Sequence, residues 1–123
     1  MGRMAKNLEI SFLLDFYGSM LTEKQRAVVE YYYNDDLSLG EIGANEGISR
    51  QGVRDAIKRA EAQLLDMEER LGLAKRFRVM KDGLEKIYLA AADIQEWNEE
   101  KIQSPAVREN TQKIMDLAAA LAD

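Results

Sequence analysis

Neither cysteine nor histidine occurs in these 123 residues, and proline occurs once. Without cysteine there is no disulfide framework, no thiolate zinc finger and no thiol nucleophile. Without histidine the chain lacks the commonest general base and the commonest transition-metal ligand. No apolar run approaches the length that crosses a bilayer. The opening MGRMAKNLEISFLL has no uninterrupted apolar stretch and no cleavage pattern, so no signal peptide is expected and the cytoplasm is the default location. Gly40, Gly43, Gly47 and Gly52 are spaced for helix contacts and turns, and no GKS or GKT follows them, so no phosphate-cradling loop is read. The acids Glu96, Glu99 and Glu100 near Trp97 have no convergent partner and read as a solvated helix face. These absences leave no basis for an enzyme, a metal site or a cofactor. Positive charge is also short, with 17 Lys and Arg against 22 Asp and Glu for a net charge of −5. That excludes a protein that coats DNA through bulk cationic charge.

What the chain has is helical periodicity. Apolar residues make up 46% and recur at helical spacing almost throughout, which predicts an all-α fold. The richest segment is Ser38 to Leu64, SLGEIGANEGISRQGVRDAIKRAEAQL. Ser38 and Glu41 form an S-x-x-E capping box that opens one helix. Leu39 and Ile42 give that helix its apolar side, and Gly43 is small where two helices must cross. Gly47 stands where a left-handed backbone ends the helix, and only glycine adopts that cheaply. Ile48 plugs the turn and Ser49 caps the next helix. Val53, Ile57, Ala60 and Leu64 then form one buried stripe. The pattern is a helix-turn-helix. Off the stripe lie Arg50, Gln51, Arg54, Lys58 and Arg59. Between Ser49 and Ala60 four cations face one anion, Asp55, a local balance of +3 on an acidic chain. Arginine reads guanine and glutamine reads adenine in a major groove, while lysine, arginine and the Ser49 hydroxyl hold phosphate. Ser49, Arg50, Gln51, Arg54, Lys58 and Arg59 are therefore the candidate DNA-binding residues.

The remaining elements follow from the same signals. Asn7 to Met20 is a first helix with Ile10, Leu13, Leu14 and Tyr17 on one side. Thr22 and Gln25 form a second capping box, opening a helix to about Tyr33 that Asn34-Asp35-Asp36 ends. Three successive tyrosines, Tyr31 to Tyr33, point three ways on a helix, so core packing is favoured over a base-stacking platform. The stripe of the second motif helix continues through Met67 to Leu71, predicting a long recognition helix that Gly72 breaks. A further helix runs from Leu73 to about Lys101, with Leu84, Ile87, Tyr88, Ala91 and Ile94 as its inner face. Ser104 and Pro105 start the last helix, to Ala122. There Val107, Ile114 and Leu121 recur every seven residues with Thr111 and Ala118 between them. This stripe packs within the chain or forms a dimer seam. The cations Arg70, Lys75, Arg76, Arg78 and Lys81, with no acid among them, either touch phosphates or are simply solvated. The expected organisation is a helix-turn-helix domain over residues 1–72, with its core at 38–64, and a C-terminal helical extension over 73–123 used for packing or dimerisation.

The segment Leu21 to Leu64 resembles region 4 of bacterial sigma factors, which reads the −35 promoter element. The opening SFLLDFYGSMLTEKQRAVVEYYYNDDLSLGEI and the closing VRDAIKRAEAQLLDMEERLGL resemble the YlxM family over roughly the first 90 residues. Members of that family are typically encoded beside the signal recognition particle GTPase. The resemblance implies a sigma-region-4-like bundle and an accessory or regulatory role in the signal recognition particle pathway. Two classes of function stay open. One is a DNA-binding regulator, acting as a homodimer on double-stranded DNA. The other is an accessory factor of the signal recognition particle that binds RNA or protein without reading a DNA sequence.

Overall fold

The computed structural model describes residues 6–123, so the first five residues of the opening MGRMAKNLEISFLL, on which the signal-peptide reading rests, lie outside the described residues. It consists of six α-helices and one 3-10 turn, with no strand among the described residues. None of these helices is long and apolar enough to cross a membrane. The chain divides into two compact units at Ala74.

The first unit holds α1 (Leu8–Tyr17), the 3-10 turn Gly18–Met20, α2 (Glu23–Tyr33), α3 (Leu39–Glu46) and α4 (Arg50–Leu71). Each start is set by a side chain that accepts an otherwise unpartnered backbone N–H. Asn7 caps α1, Thr22 and Gln25 form a reciprocal box on α2, and Ser38 and Glu41 do the same on α3. After α2 the chain turns through Asp36 at φ 55°, a left-handed conformation that aspartate tolerates through local hydrogen bonding. The Lys6 ammonium ties this turn down, donating to Asp36 Oδ1 at 2.5 Å and to the Tyr32 carbonyl at 2.8 Å.

Helices α1, α2 and α3 all pack on α4. Along α4 the buried residues are Val53, Ile57, Ala60 and Leu64. Its N-terminal half, through Val53 and Ile57, packs with Val28, Tyr32 and Ile42. Its C-terminal half, through Ala60 and Leu64, packs with Ile10, Leu13, Leu14 and Tyr17 of α1. The far end of the long helix is thus covered within its own unit. Each fully buried leucine or isoleucine here contributes about 1.5–3 kcal/mol. The stripe stops before Leu71, which is 55% exposed. Its place is taken by Tyr17, whose hydroxyl donates to Glu68 Oε1 at 2.6 Å and accepts from the Leu73 N–H at 3.0 Å. Gly72, at φ 63°, ends α4 there.

The second unit, residues 75–123, contains most of α5 (Leu73–Lys101) and all of α6 (Pro105–Ala122). Helix α5 passes through Gly83 without interruption. The turn between the helices is built on Asn98, which is fully buried. Its amide nitrogen donates to the Ser104 carbonyl at 2.9 Å, and its oxygen accepts from the Ser104 N–H at 3.0 Å. Ser104 caps α6, and the Arg108 guanidinium grips Glu99 through two bonds of 2.5 and 3.0 Å. Farther along, Gln95 donates to Thr111 Oγ1 and to Gln112 Oε1. The expected inner face needs correction. Ala91, Asn98, Thr111 and Ala118 are buried, whereas Ile87, Ile94, Ile114 and Leu121 are 42–66% exposed and Tyr88 is 37% exposed. Small and hydrogen-bonding residues occupy the seam because they let two backbones approach closely. The large apolar residues lie beside that seam, not in it.

Candidate nucleic-acid interface

The turn between α3 and α4 sets where the outer face of α4 points. Inside the Ser38–Glu41 box, hydrogen bonds first from the Ser38 N–H and then from its side chain hold the Glu41 carboxyl below the usual carboxylate range. At the crossing, Gly43 has no room for a side chain. A Cβ there would meet the Ile48 carbonyl oxygen at 2.6 Å and Val53 Cγ2 at 3.6 Å. The Gly43 carbonyl accepts from the N–H groups of both Gly47 and Ile48, closing the helix end around Gly47 at φ 69°. Ser49 Oγ accepts from the Gly52 N–H at 3.0 Å. The cap uses a lone pair of the hydroxyl and leaves its O–H to donate, as contact with a phosphate oxygen requires.

The six candidate side chains all lie on this turn and the first three turns of α4, and all are exposed. They do not share one direction. At about 100° per residue, Gln51, Asp55 and Lys58 lie opposite the buried stripe, Arg54 and Arg59 lie at the two edges of that outer face, and Arg50 leans back toward α3. Arg50 indeed rests over Gly40, where an added Cβ would lie 3.2 Å from its Nε. Arg54 and Arg59 form no ion pair among the described residues, whereas Lys58 lies 4.0 Å from the Glu61 carboxylate. Glu61 also accepts the Tyr33 hydroxyl. Burial, and then that bond, push the Tyr33 hydroxyl's pKa above the usual tyrosine value.

The centre of the face holds a pair not drawn from the sequence: Gln51 Nε2 donates to Asp55 Oδ1 at 3.0 Å. One amide hydrogen is committed, while the amide oxygen and the second hydrogen remain for a partner. The carboxylate is an acceptor of the kind that pairs with a cytosine amino group. The signal was there in an i,i+4 Gln–Asp pair. The basic residues from Arg70 to Lys81 span the division between the two units. Arg70 is engaged by Asp66 at 3.0 Å, and the Lys81 ammonium sits 5.9 Å from the centre of the Phe77 ring.

Sequence comparison agrees with this frame. Residues 4–116 match the model of the family UPF0122, described as "Putative helix-turn-helix protein, YlxM / p13 like". A UPF0122 protein of Caldanaerobacter subterraneus is 54% identical over 80 residues, covering 65% of this chain and 68% of the relative. One from Shouchella clausii is 47% identical over 90 residues, 73% of this chain and 83% of its own. One from Bacillus velezensis is 44% identical over 99 residues, covering 80% and 88%.

Proposed function

The chain belongs to the UPF0122 family of YlxM / p13-like helix-turn-helix proteins, and from that premise we propose that it is a regulator that binds double-stranded DNA as a homodimer. The observation that carries the reading is the outer face of α4. It is exposed, anchored through the tight Gly43 crossing, and edged by Arg54 and Arg59, which have no ion-pair partner among the described residues. In this reading Gln51, Asp55 and Lys58 meet base edges, and Arg54 and Arg59 meet the walls of the groove. Arg50 and the Ser49 hydroxyl hold phosphate. The resemblance to the YlxM family adds the signal recognition particle pathway as its setting.

A second reading has two observations in its favour. Asp55 stands at the centre of the face and takes part of the donor capacity of Gln51. From Leu21 to Leu64, moreover, eight acids outnumber six cations. An accessory factor of the signal recognition particle that touches RNA loops or a protein would tolerate both. The deciding experiment crosslinks the protein in cells and sequences the attached DNA and RNA beside an Arg54→Ala/Lys58→Ala variant. A discrete duplex motif that disappears in the variant supports the DNA-binding regulator. Enriched signal recognition particle RNA, or no nucleic acid, overturns it.

A further inference from the structure

The corrected inner face of the C-terminal hairpin leaves a second stripe on each helix. On α5, Ile87, Ala90, Ile94, Trp97 and Lys101 follow one another at steps of three, four, three and four. On α6, Val107, Asn110, Ile114, Leu117 and Leu121 repeat the same steps. This is the a/d spacing of a helix that packs along its length on another. Neither stripe is the seam already used, which runs through Ala91, Asn98, Thr111 and Ala118. Each helix therefore carries a buried stripe of small and hydrogen-bonding residues and, beside it, an apolar stripe that is still exposed. That is the requirement for a helix with two neighbours, as in a four-helix bundle.

Helical phase puts the two unused stripes on the same side of the hairpin. On α5 the unused stripe is offset from the buried one toward lower angle. On α6, which runs antiparallel across the turn at Asn98 and Ser104, it is also offset toward lower angle. For antiparallel helices those offsets lie on one face. The result is a continuous apolar strip in which Lys101, at the turn end, is the one charged residue.

We infer that this strip is the seat of a second copy of the chain, two hairpins closing into a four-helix bundle. The inference deepens the homodimer part of the proposed function and is independent of its DNA-binding part. Self-association is favoured over a foreign helix by the form of the surface. The hairpin presents two helices of matched pattern, which is half of a four-helix bundle, and a two-fold operation supplies the other half. The area agrees. Ile87, Ile94, Trp97, Ile114, Leu117 and Leu121 are each 42–66% exposed. At roughly 100 Å² apiece they offer about 600 Å² per copy, and two copies reach about 1,200 Å², the lower bound of stable interfaces. The patch on each copy stands at the upper end of the range for the largest apolar patch of a monomer, where such patches often mark interaction sites. Asn110, the one uncharged polar residue in the strip, has the character of an interfacial asparagine that fixes register at some loss of stability.

Sedimentation equilibrium on the full-length protein at micromolar concentration, without nucleic acid, tests the inference. Wild type is expected to be a dimer. Leu117→Asp is expected to weaken it by about a hundredfold or more, with far-UV circular dichroism unchanged because Leu117 is 64% exposed. Leu89→Asp, an equal change on the side of α5 away from the strip, is expected to leave the dimer intact. Should Leu117→Asp unfold the hairpin, Asn110→Leu keeps the test open, because it should tighten the dimer. A monomeric wild type overturns the inference. So does a dimer as tight in Leu117→Asp as in wild type, or one not tightened by Asn110→Leu. The Arg54→Ala/Lys58→Ala variant should dimerise normally while losing DNA, so failure of the seam and failure of the DNA reading give different results.

Discussion

Gly43→Ala is the substitution that most directly probes how α3 positions α4. The added methyl would lie 2.6 Å from the Ile48 carbonyl oxygen. Ordinary contact, at 3.4 Å or more, requires the Ile48 carbonyl in the turn to move away from α3 by about 0.8 Å. The obstacle is backbone, so no side-chain rotamer relieves it. The same movement stretches the Ile48 N–H to Gly43 carbonyl bond, now 3.0 Å. Overpacking of this kind costs about 1–3 kcal/mol, and weakening that hydrogen bond adds up to about 1 kcal/mol. Against this, alanine in place of a helical glycine gains about 0.8–1 kcal/mol of helix propensity. The net expectation is a loss of up to about 3 kcal/mol, centred near about 1.5 kcal/mol. Gly83→Ala isolates the propensity effect, because nothing lies within 4 Å of a Cβ built at Gly83 in α5. It should stabilise by about 0.5–1 kcal/mol. Urea unfolding followed by circular dichroism measures both. For a unit of this size each kcal/mol moves Tm by about 4–8 °C, so the two variants should shift in opposite directions. A Gly43→Ala protein as stable as wild type would refute the argument that this crossing needs glycine.

Other expectations follow from the same geometry. Ser49→Ala removes the acceptor of the Gly52 N–H and should cost about 1 kcal/mol, read as a lower urea midpoint with an unchanged m-value. If Arg50, Arg54 and Arg59 each neutralise one phosphate in both copies of the dimer, the slope of log affinity against log salt should be about −5.4, roughly a two-thousandfold loss from 50 to 200 mM salt. A flat salt dependence would rule out groove binding by α4. Asp55→Ala removes the anion at the centre of the face and the acceptor that holds Gln51, so duplex affinity at low salt should rise several-fold while sequence preference relaxes; a fall across all duplexes would contradict the placement of Asp55. Burial, and then the bonds to Glu68 and Glu61, raise the hydroxyl pKa values of Tyr17 and Tyr33. A raised folded-state pKa means stability that is present below the unfolded value of about 10 and lost as pH climbs beyond it. The stability gap between wild type and a Tyr17→Phe/Tyr33→Phe variant should therefore narrow above about pH 10 in pH-dependent unfolding.

Legibility of the fold differed along the chain for a physical reason. Caps and chain reversals are local, and their chemistry is written in adjacent residues. Thr22 with Gln25, Ser38 with Glu41, Gly47, Ser49, Gly72 and Ser104-Pro105 all take the positions that their hydrogen-bonding capacity and conformational freedom predict. The buried stripe of α4 was equally readable, because Val53, Ile57, Ala60 and Leu64 are flanked by charge on both sides. The Gln51–Asp55 bond was harder, since both residues have other uses on an exposed face and spacing alone does not couple them.

The C-terminal hairpin was misread because its helices are apolar over too wide an arc. Hydrophobic periodicity identifies a face only when the opposite face is polar. Here Ile87 and Ile94 lie about 60° or less from the Leu84–Ala91–Asn98 line, and periodicity assigns all of them to one inner face. Hydrogen bonding decides between the stripes. Asn98 satisfies both its amide groups on Ser104, and Thr111 donates to the Val107 carbonyl while accepting from Gln95. Asn98 and the Gln95–Thr111 pair find their partners across the turn and on the neighbouring helix, where the two backbones lie close, so small residues take the seam and the larger ones lie beside it. A chain that spends its small and polar residues on the internal seam, and keeps isoleucine, leucine and tryptophan at a/d spacing beside it, has a hairpin whose apolar surface is finished only by another helix pair. The misread stripe and the proposed dimer seam therefore have the same physical origin.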